Sequence, residues 1–371
     1  MAIKEEINPL EEQDVKLAFT STKNMIIGII ILLLFVVNGA MVGPLTVFLP
    51  AKSPLIKACW RTQLCLSNGI FLMIGLYIWK WKEMSIKNDH TPKMLINSAI
   101  TAFLGFLWFV TFVIGCSMTI TSHAMVMYSS SGVYMLIWGI VTGVVIHKFE
   151  YFGYGLFFLG VFLMLTDPFA VKPGFEGNQY LGDLIAFSGA AFGAVQGFYN
   201  SRNSKIIHPI VIMNHCFFFS AVFQLVLDSF VYGPAIVLSF DKEMGAFGWY
   251  ADPELFWFLF GVIGPLNAMT CNVSFYIAYY YFPMEIIAGS ILTQPFISQI
   301  FGVIMGQDQM PGFRTLFGLT IITVGTMVSS YGLRLKATET VQKFVEESKL
   351  ISKLSFPNLD NSKRQSSGLD K

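Results

Sequence analysis

Charged residues are scarce in this sequence. Lys, Arg, Asp and Glu make up 13% of its 371 residues, whereas soluble proteins carry about a quarter. The stretch Met94–His147 has none of them over 54 residues. So little charge cannot cover a water-soluble domain, and that class is excluded. The chain is instead 54% hydrophobic, which is typical of a protein with many membrane-spanning helices.

Other features are missing as well. The five cysteines are odd in number and lack paired spacing, which excludes a disulfide framework and a zinc site. No Gly-rich phosphate-binding loop of the Walker type occurs, so direct use of ATP is not expected. A net charge of +1 gives no reason to expect a nucleic-acid partner. We therefore predict no metal and no cofactor.

Long apolar runs are what the sequence does have. A bilayer core about 30 Å thick needs about 20 apolar residues per helix, and lipid offers no partner for free backbone groups, so only helices fit this composition. We count ten such runs: Met25–Leu49, Thr62–Trp79, two within Met94–His147, Tyr151–Thr166, Leu184–Ser201, Ile206–Leu227, Leu255–Met284, Ile286–Gln307 and Thr315–Leu333.

The basic residues indicate an orientation. With the amino terminus taken as cytoplasmic, 18 of the 24 Lys and Arg residues fall in segments on that side and six on the other. The positive-inside rule then predicts an integral, multi-pass membrane protein with both termini in the cytoplasm. Whether the membrane is the plasma membrane or an endomembrane stays open, as does the oligomeric state.

A repeated helix pair indicates an internal repeat. Gly132 precedes Gly139 by seven residues, and Gly153 precedes Gly160 by the same step. About 165 residues later, Gln294-Pro295 lies seven residues before Gly302, and Gly318 lies seven before Gly325. Interrupted apolar helices at matching positions of two halves are typical of transporters built from repeats. We expect the interruptions, at Ser131-Gly132 and Gln294-Pro295, to face a central cavity.

Several short motifs carry a family resemblance. Trp60-Arg61 at the start of the second helix, Gly182-Asp183-Leu184 at the start of the sixth, Gln294-Pro295 in the ninth and the glycine pairs of the fifth and tenth are similar to those of the drug/metabolite transporter superfamily. The chain resembles its EamA-like branch over roughly residues 25–335.

This resemblance implies the fold and the division of the chain. The fold expected is an all-α polytopic membrane protein with ten transmembrane helices as two inverted five-helix repeats. The segments are a cytoplasmic N-terminal segment (1–24), the first five-helix repeat (25–167), a linker (168–181), the second five-helix repeat (182–335) and a cytoplasmic C-terminal tail (336–371).

The resemblance also implies a central cavity lined by helices one to four and six to nine. Polar side chains at membrane depth agree with this, since they usually face a bundle interior or a wet cavity. Together with the interruptions, the candidate substrate-binding residues are Asn38, Arg61, Tyr128, Ser131, Gly132, Gln196, Asn214, His215, Asn267, Asn272, Gln294, Pro295 and Gln299. The same mapping nominates Asn68, His123, Ser130 and Tyr199.

The function expected is secondary transport of a small organic solute by alternating access. The shortage of cations at depth, with Arg61 alone among the candidates, favours a neutral, zwitterionic or singly charged solute. A coupling proton is an option, and His123, His215 and Asp228 are the titratable groups that could carry it. A nucleotide-sugar or phosphate carrier of the same superfamily is one alternative, and a non-transporting receptor or scaffold is another.

An enzyme is not expected. Leu181-Gly182-Asp183 resembles the Gly-Asp motif of membrane aspartyl proteases, which need a second facing aspartate. Asp167 and Asp228 lie near span ends, and no Tyr-Asp pair occurs within a predicted helix. The lipid bilayer and a small-molecule substrate are therefore the partners that the sequence predicts.

Overall fold

A computed structural model of the chain describes residues 22–80, 89–144, 146–171, 174–204, 206–282, 284–332 and 335. This part is helical and contains no strand. The predicted N-terminal segment up to residue 21 and the predicted C-terminal tail lie outside the described residues. The helices are α1 (Thr22–Phe48), α2 (Pro54–Trp79), α3 (Pro92–Met118), α4 in two parts, α4a (Thr121–Ser129) and α4b (Ser131–Val141), α5 (Lys148–Leu165), α6 (Gln179–Asn203), α7 (Pro209–Tyr232), α8 (Pro253–Tyr281), α9 in two parts, α9a (Met284–Ile291) and α9b (Gln294–Ile304), and α10 (Phe313–Gly332).

Nine of these helices are long and apolar enough to cross a membrane, within the part of the chain that the structure describes. The helix α9 has a shorter apolar stretch among the described residues, Gly289–Ile304, and is interrupted at Leu292 and Thr293. The chain is thus all-helical and compatible with an integral, multi-pass membrane protein. The described residues thus contain nine candidate spans against the ten expected, and α9 accounts for the difference.

The outer surface of the bundle is apolar. Phe230 is 90% exposed, Trp79 79% and Phe313 78%, and most helices carry further exposed large apolar side chains. A water-soluble monomer rarely exposes apolar patches beyond a few hundred Å². Many buried side chains are in contrast polar, including Arg61 and Asp228. This distribution, apolar outside and partly polar inside, suits a protein surrounded by lipid.

Helix starts are set by local capping. Ser53 accepts a hydrogen bond from Leu55 N, and Pro54 occupies the first turn of α2. Asp252 accepts from the N–H groups that follow Pro253 at the start of α8. An oxygen on the cap residue satisfies a free N–H, and proline is tolerated in the first turn because no helical hydrogen bond is lost there.

Short connections make consecutive helices antiparallel neighbours. The start of α1 and the end of α10 therefore lie at the same end of the bundle, which we call the terminal face, and the other end is the far face. The hydrogen bond from Thr315 N to Asp167 Oδ2, 2.9 Å, ties the start of α10 to the loop after α5 at the far face.

Packing links the two halves throughout. The helix α3 packs against α6, and α1 packs against α8; α2 contacts α7 and α8, while α7 contacts α2 and α3. The helix α4 lies against α6, and α9 lies against α1. A large central core lies between these helices, a second buried cluster surrounds Trp60 and Trp249 at the far face, and a third joins α4, α5, α9 and α10.

The contact between α5 and α10 is made by glycines. A Cβ on Gly160 would lie 2.6 Å from the carbonyl oxygen of Gly318, and a Cβ on Gly318 would lie 2.6 Å from that of Gly160. Gly153 and Gly325 meet in the same reciprocal way one step along the helices. The two backbones touch because these four residues have no side chain, as in membrane helix pairs built on small residues.

Candidate functional site

A cavity of about 100 Å³ lies at the centre of the bundle. A single water needs roughly 10–15 Å³ on this measure, so the cavity has room for several waters or a small organic solute. Its lining comes from α1, α2, α3, α4, α6, α7, α8 and α9. These are the eight helices from which the sequence analysis expected a cavity lining, and α5 and α10 do not contribute.

Aromatic rings form one wall of this cavity. Trp108 and Tyr128 stack with centroids 4.3 Å apart and planes inclined by 10°, and Phe112 contacts Tyr128 at 4.4 Å. On the opposite helices Phe35 and Phe275 pack at 5.1 Å. Such pairs are rigid and present flat apolar surfaces. The wall suits the apolar part of a solute.

Five candidate residues line the cavity: Arg61, Tyr128, Gln196, Asn272 and Gln294. The amide of Gln294 lies against the backbone of α1, where a Cβ on Gly39 would overlap its Nε2. The amide of Gln196 lies in the same way against α3, at Gly105. A glycine at each point lets an amide side chain lie flat against the neighbouring helix.

Arg61 is the cation of the cavity. Its side chain is 8% exposed, and the guanidinium Cζ lies 4.5 Å from the centroid of the Phe109 ring. Its Nε is buried without a hydrogen-bond partner, and no carboxylate among the described residues forms an ion pair with it. A guanidinium stays protonated in proteins. The cavity therefore contains one positive charge that the described residues leave uncompensated.

The cavity lies at mid-depth. At 1.5 Å per residue, Arg61 is about 10 Å along α2 from its far-face end, and Tyr128 is about 10 Å along α4 from Thr121. Gln196 is about 10 Å from the terminal-face end of α6 at Asn203. The polar groups are thus well removed from both faces.

Arg61 lies deeper in its helix than the sequence predicts. The motif Trp60-Arg61 was expected at the start of the second helix, but α2 begins at Pro54. Lys57 lowers the local hydropathy and hides this first part of the helix, although the cap at Ser53 and the proline after it mark the start. Arg61 consequently lies two turns inside the helix.

The break in α4 is adjacent to the cavity. The helix stops at Ser129 and resumes at Ser131. Trp108 Nε1 donates to the carbonyl oxygen of Tyr128 at 3.0 Å, and Tyr154 Oη donates to that of Gly132 at 2.8 Å. Carbonyls near a break need such partners because lipid supplies none. Two side chains from neighbouring helices therefore stabilise the interruption.

The break in α9 lies just before Pro295. Thr293 Oγ1 donates to the carbonyl of Ser290 at 2.7 Å, and α9b then begins at Gln294 with the proline in its first turn. Ile291 and Gln294 line the cavity on either side of the break. Both expected interruptions are present, within about two residues of their predicted positions.

The helix α8 is widened beside the cavity. Residues Leu259–Met269 form a π-helical segment that contains Pro265. Thr270 Oγ1 donates to the carbonyl of Pro265 at 2.6 Å. π-Helical segments are rare in proteins, and those that do occur often lie at functional sites. This segment ends three residues before Asn272, which lines the cavity.

The other candidates lie elsewhere. Asn38 Nδ2 donates to the carbonyl of Leu34 at 2.8 Å, Asn214 Nδ2 to that of Ile210 at 2.9 Å, and Gln299 Nε2 to that of Gln309 at 3.4 Å. None of these residues, and neither Ser131 nor Pro295, lines the central cavity. Gly132 lines a second cavity of about 450 Å³ between α4b, α5, α9a and α10. The side chain of Asn267 lies outside the described residues.

The titratable side chains His215, His123 and Asp228 each lie against a different partner. His215 Nε2 and His90 Nδ1 are 2.7 Å apart near the terminal face. His123 Nδ1 and Asp183 Oδ2 are 3.6 Å apart near the far face. Gln224 Nε2 donates to Asp228 Oδ1 at 2.6 Å, and Gln224 itself lines the cavity. Asp228 is thus one side chain removed from the cavity.

The segment between α7 and α8, residues 233–252, covers the far face. We call it the capping segment. Trp60 Nε1 donates to the carbonyl of Gly245 at 2.8 Å, and Trp249 Nε1 donates to Gln63 Oε1 at 2.9 Å. Both indole rings are fully buried. The capping segment of the second half is therefore fixed to α2 of the first half, one residue from Arg61.

The sequence did not predict the apolar lining of the cavity or a polar stripe beside it. The apolar lining, chiefly Phe35, Trp108, Phe109 and Phe275, is indistinguishable in sequence from lipid-facing residues. Asn200 and Asn203 could have been found, because with Gln196 they follow the i, i+4, i+7 spacing of one helix face. Both are buried, and Asn203 Nδ2 donates to Thr101 Oγ1 at 3.2 Å. The stripe extends from the cavity toward the terminal face.

Comparison with known proteins supports the fold only. No family model matches the chain, and no curated protein matches it. Among solved structures 14 chains match. One, described only as "Crystal structure of protein", has a TM-score of 0.54 and 15% sequence identity, and the match covers 82% of this chain and 97% of that chain. At this identity the likeness shows a shared fold and carries no information about activity.

Proposed function

We propose that the protein is a secondary transporter that moves a small organic solute by alternating access. One observation carries this: polar side chains from both halves of the chain, Arg61 and Tyr128 from the first and Gln196, Asn272 and Gln294 from the second, line one cavity at mid-depth. Polar groups at such depth are costly in lipid and usually mark a substrate or ion path. The aromatic wall supplies the apolar contacts that small-molecule sites use.

We infer that the two halves are inverted repeats of five helices, as in the drug/metabolite transporter superfamily. The packing pairs support this when α1 to α5 are matched with α6 to α10. The pair α3–α6 corresponds to α8–α1, α7–α3 to α2–α8, and α4–α6 to α9–α1, and all of these pairs are in contact. The pair α2–α7 corresponds to itself, as expected across a two-fold axis.

The glycine contact supports the same inference. In the repeat, Gly153 corresponds to Gly318 and Gly160 to Gly325. Gly153 meets Gly325 and Gly160 meets Gly318, so replacing each glycine by its counterpart turns one contact into the other. Two helices related by a two-fold axis make each contact twice, once from each side, as these glycines do. Since the two helices run antiparallel across the bundle, the axis lies across them, that is, in the plane of the membrane.

Alternating access needs parts that can move around the cavity. The breaks at Ser130 and at Leu292–Thr293 divide α4 and α9 next to it, and broken helices at a repeat interface are typical of carriers. The capping segment and its two buried tryptophans keep the far face covered in this conformation. Release on that side would require the capping segment to separate from α2.

The charges bear on orientation and on the class of carrier. The uneven distribution of Lys and Arg favours a cytoplasmic terminal face. Arg61 is the one cation among the described residues that line the cavity. A carrier of doubly charged phosphates or nucleotide sugars would be expected to place more cations there, so a neutral, zwitterionic or singly charged solute is the better fit.

The test is counterflow of radiolabelled solutes into proteoliposomes containing the purified full-length protein. A transporter exchanges at least one solute of a metabolite panel, whereas a receptor or scaffold exchanges none. For a solute that is exchanged, Gln294→Leu is expected to lower exchange at least tenfold with unchanged expression and melting, because the amide that faces the cavity is lost.

The matched control is Gln299→Leu, on the same half-helix. Gln299 is as deeply buried as Gln294 but does not line the cavity, and its exchange should stay within about twofold of wild type. Equal losses in both variants would contradict the assignment of the cavity as the binding site. No change in Gln294→Leu would contradict it as well, and would leave the break at Pro295 a purely structural feature.

A further inference from the structure

We propose that the solute is an organic monoanion, a monocarboxylate with a compact apolar body, whose carboxylate pairs with Arg61. This deepens, and rests on, the proposed transport function. The observation behind it is a buried guanidinium that lines a cavity and has no ion-pair partner among the described residues. A native protein rarely keeps a buried charge without a partner, because removing a charge from water is costly unless another charge compensates it.

The five buried carboxylates among the described residues each have a partner. Those of Asp167 and Asp308 accept hydrogen bonds from the backbone N–H groups of Thr315 and Thr121. Asp183 faces His123, and Asp228 accepts a hydrogen bond from Gln224. Glu150 accepts from the backbone N–H of His147, in the capping box that starts α5. Of the described residues that line the cavity, none is acidic. Among the described residues no negative charge balances Arg61, and the proposal assigns that charge to a bound molecule.

The charges of the lining residues determine how many charges the bound molecule can carry. One guanidinium can hold one carboxylate with two parallel hydrogen bonds. Gln196, Asn272 and Gln294 are uncharged and can only donate or accept hydrogen bonds. A second negative charge on the solute would be buried without a cation. The lining accordingly selects against dianions, and Arg61 repels cations.

The shape and polarity of the body follow from the aromatic wall. Phe109 lies under the guanidinium at 4.5 Å, and the stacked Trp108 and Tyr128 are its neighbours. A carboxylate bound to Arg61 would have these rings beside its carbon skeleton. A cavity of about 100 Å³ limits that skeleton to the size of a single ring or a short chain.

An isosteric set of three probes tests the charge without changing the shape: benzoate, benzamide and benzamidine. Each is a planar ring with a three-atom head group, and the charges are −1, 0 and +1. Binding is measured by equilibrium dialysis on the full-length protein in nanodiscs, in a sulfate buffer without chloride. Wild type is expected to bind benzoate at least tenfold more tightly than benzamide and to bind benzamidine most weakly.

Three variants test whether Arg61 causes the preference for benzoate over benzamide. Arg61→Gln should reduce the ratio of benzoate to benzamide affinity to within about twofold of unity. Arg61→Lys should keep part of the ratio, because the charge stays while the two-pronged geometry is lost. Arg314→Gln is the matched control: Arg314 lies in the first turn of α10 at the far face, and its exposed side chain donates to the carbonyl of Thr166. Its ratio should equal that of wild type. Size-exclusion profiles and melting curves verify that each variant is folded.

The proposal is overturned if benzamide or benzamidine binds wild type as tightly as benzoate, if Arg61→Gln keeps the preference, or if benzoate does not bind. A chloride titration separates the two sources of negative charge. Competition between chloride and benzoate at Arg61 is expected, whereas binding of chloride alone also overturns the proposal.

Counterflow measurements distinguish a failure of the monoanion proposal from a failure of the proposed transport function. Arg61-dependent binding of benzoate without exchange of any solute would support the monoanion site and contradict transport. Exchange of a neutral solute that is insensitive to Arg61→Gln would support transport and contradict the monoanion site.

Discussion

The reciprocal glycine contact between α5 and α10 leads to a prediction whose sign differs between two glycines of one helix. Gly160 faces α10, and a Cβ there would lie 2.6 Å from both Gly318 O and Ile322 Cγ1. Gly155 lies on the outer side of α5 with nothing within 4 Å of its Cβ position. Gly160→Ala and Gly155→Ala are therefore chemically identical changes in opposite environments.

The magnitudes follow from these distances. Non-bonded heavy atoms are most stable about 3.5–4.0 Å apart, so the added methyl group of Gly160→Ala overlaps its neighbours by about 1 Å. One of those neighbours is backbone, and α5 and α10 must move apart. Overpacking of this kind costs about 1–3 kcal/mol. Gly155→Ala meets no neighbour and gains up to about 1 kcal/mol of helix propensity. Because both variants gain the same helix propensity, they should differ by the overpacking cost alone, about 1–3 kcal/mol.

Equilibrium unfolding of the full-length protein in mixed detergent micelles, followed by fluorescence, measures this difference. Gly160→Ala should unfold at lower denaturant than wild type, and Gly155→Ala at the same or higher. Gly318→Ala should match Gly160→Ala because the contact is reciprocal. The double variant Gly160→Ala/Gly318→Ala should lose less than the sum, since the first methyl group already separates the helices. Equal stabilities for Gly155→Ala and Gly160→Ala would refute the reasoning.

Two further predictions concern the far face and the orientation. Burial would by itself raise the pKa of Asp167, but hydrogen bonds from Thr315 and from Phe169 N outweigh it and lower that pKa below its ordinary value of 3.8. Its contribution to stability is then complete above that value and is lost as the pH falls through the lowered pKa. Asp167→Asn should melt below wild type at pH 7, and the gap should narrow as the pH falls below 3.8. A pH-independent gap would contradict this. Ser367→Cys, outside the described residues, should not react with an impermeant thiol reagent on intact cells if the terminal face is cytoplasmic. The five native cysteines are buried, so wild type gives a low background. Labelling of the variant would reverse the proposed orientation.

The sequence allowed much of the helical architecture to be predicted, because long apolar runs bounded by charges have few other interpretations. The glycine pairs were also informative, since Gly153, Gly160, Gly318 and Gly325 do form the contact between α5 and α10. Seven residues are two helical turns, so such pairs lie on one face. The start of α2 was missed because Lys57 interrupts the apolar run, and Arg61 was consequently placed at a boundary.

The candidate site was predictable only in part. Arg61, Tyr128, Gln196, Asn272 and Gln294 do line the cavity, since side chains at depth with unmet polar groups turn inward. Polarity alone does not distinguish a cavity from a local hydrogen bond. Asn38 and Asn214 satisfy their amides on the carbonyl one turn earlier in their own helices. That choice depends on which helix lies opposite, which one sequence does not reveal.

The same glycine contact joins two helices that are synthesised at different times. About 160 residues of chain separate Gly160 from Gly318, and a ribosome adds about 5–20 residues each second. The groove on α5 is thus made roughly 8–30 s before the helix that fills it. During that interval lipid must cover the exposed backbone of Gly153 and Gly160, and the first half cannot reach its final packing. The contact between α5 and α10 therefore cannot form until α10, the last of the ten helices, has been synthesised.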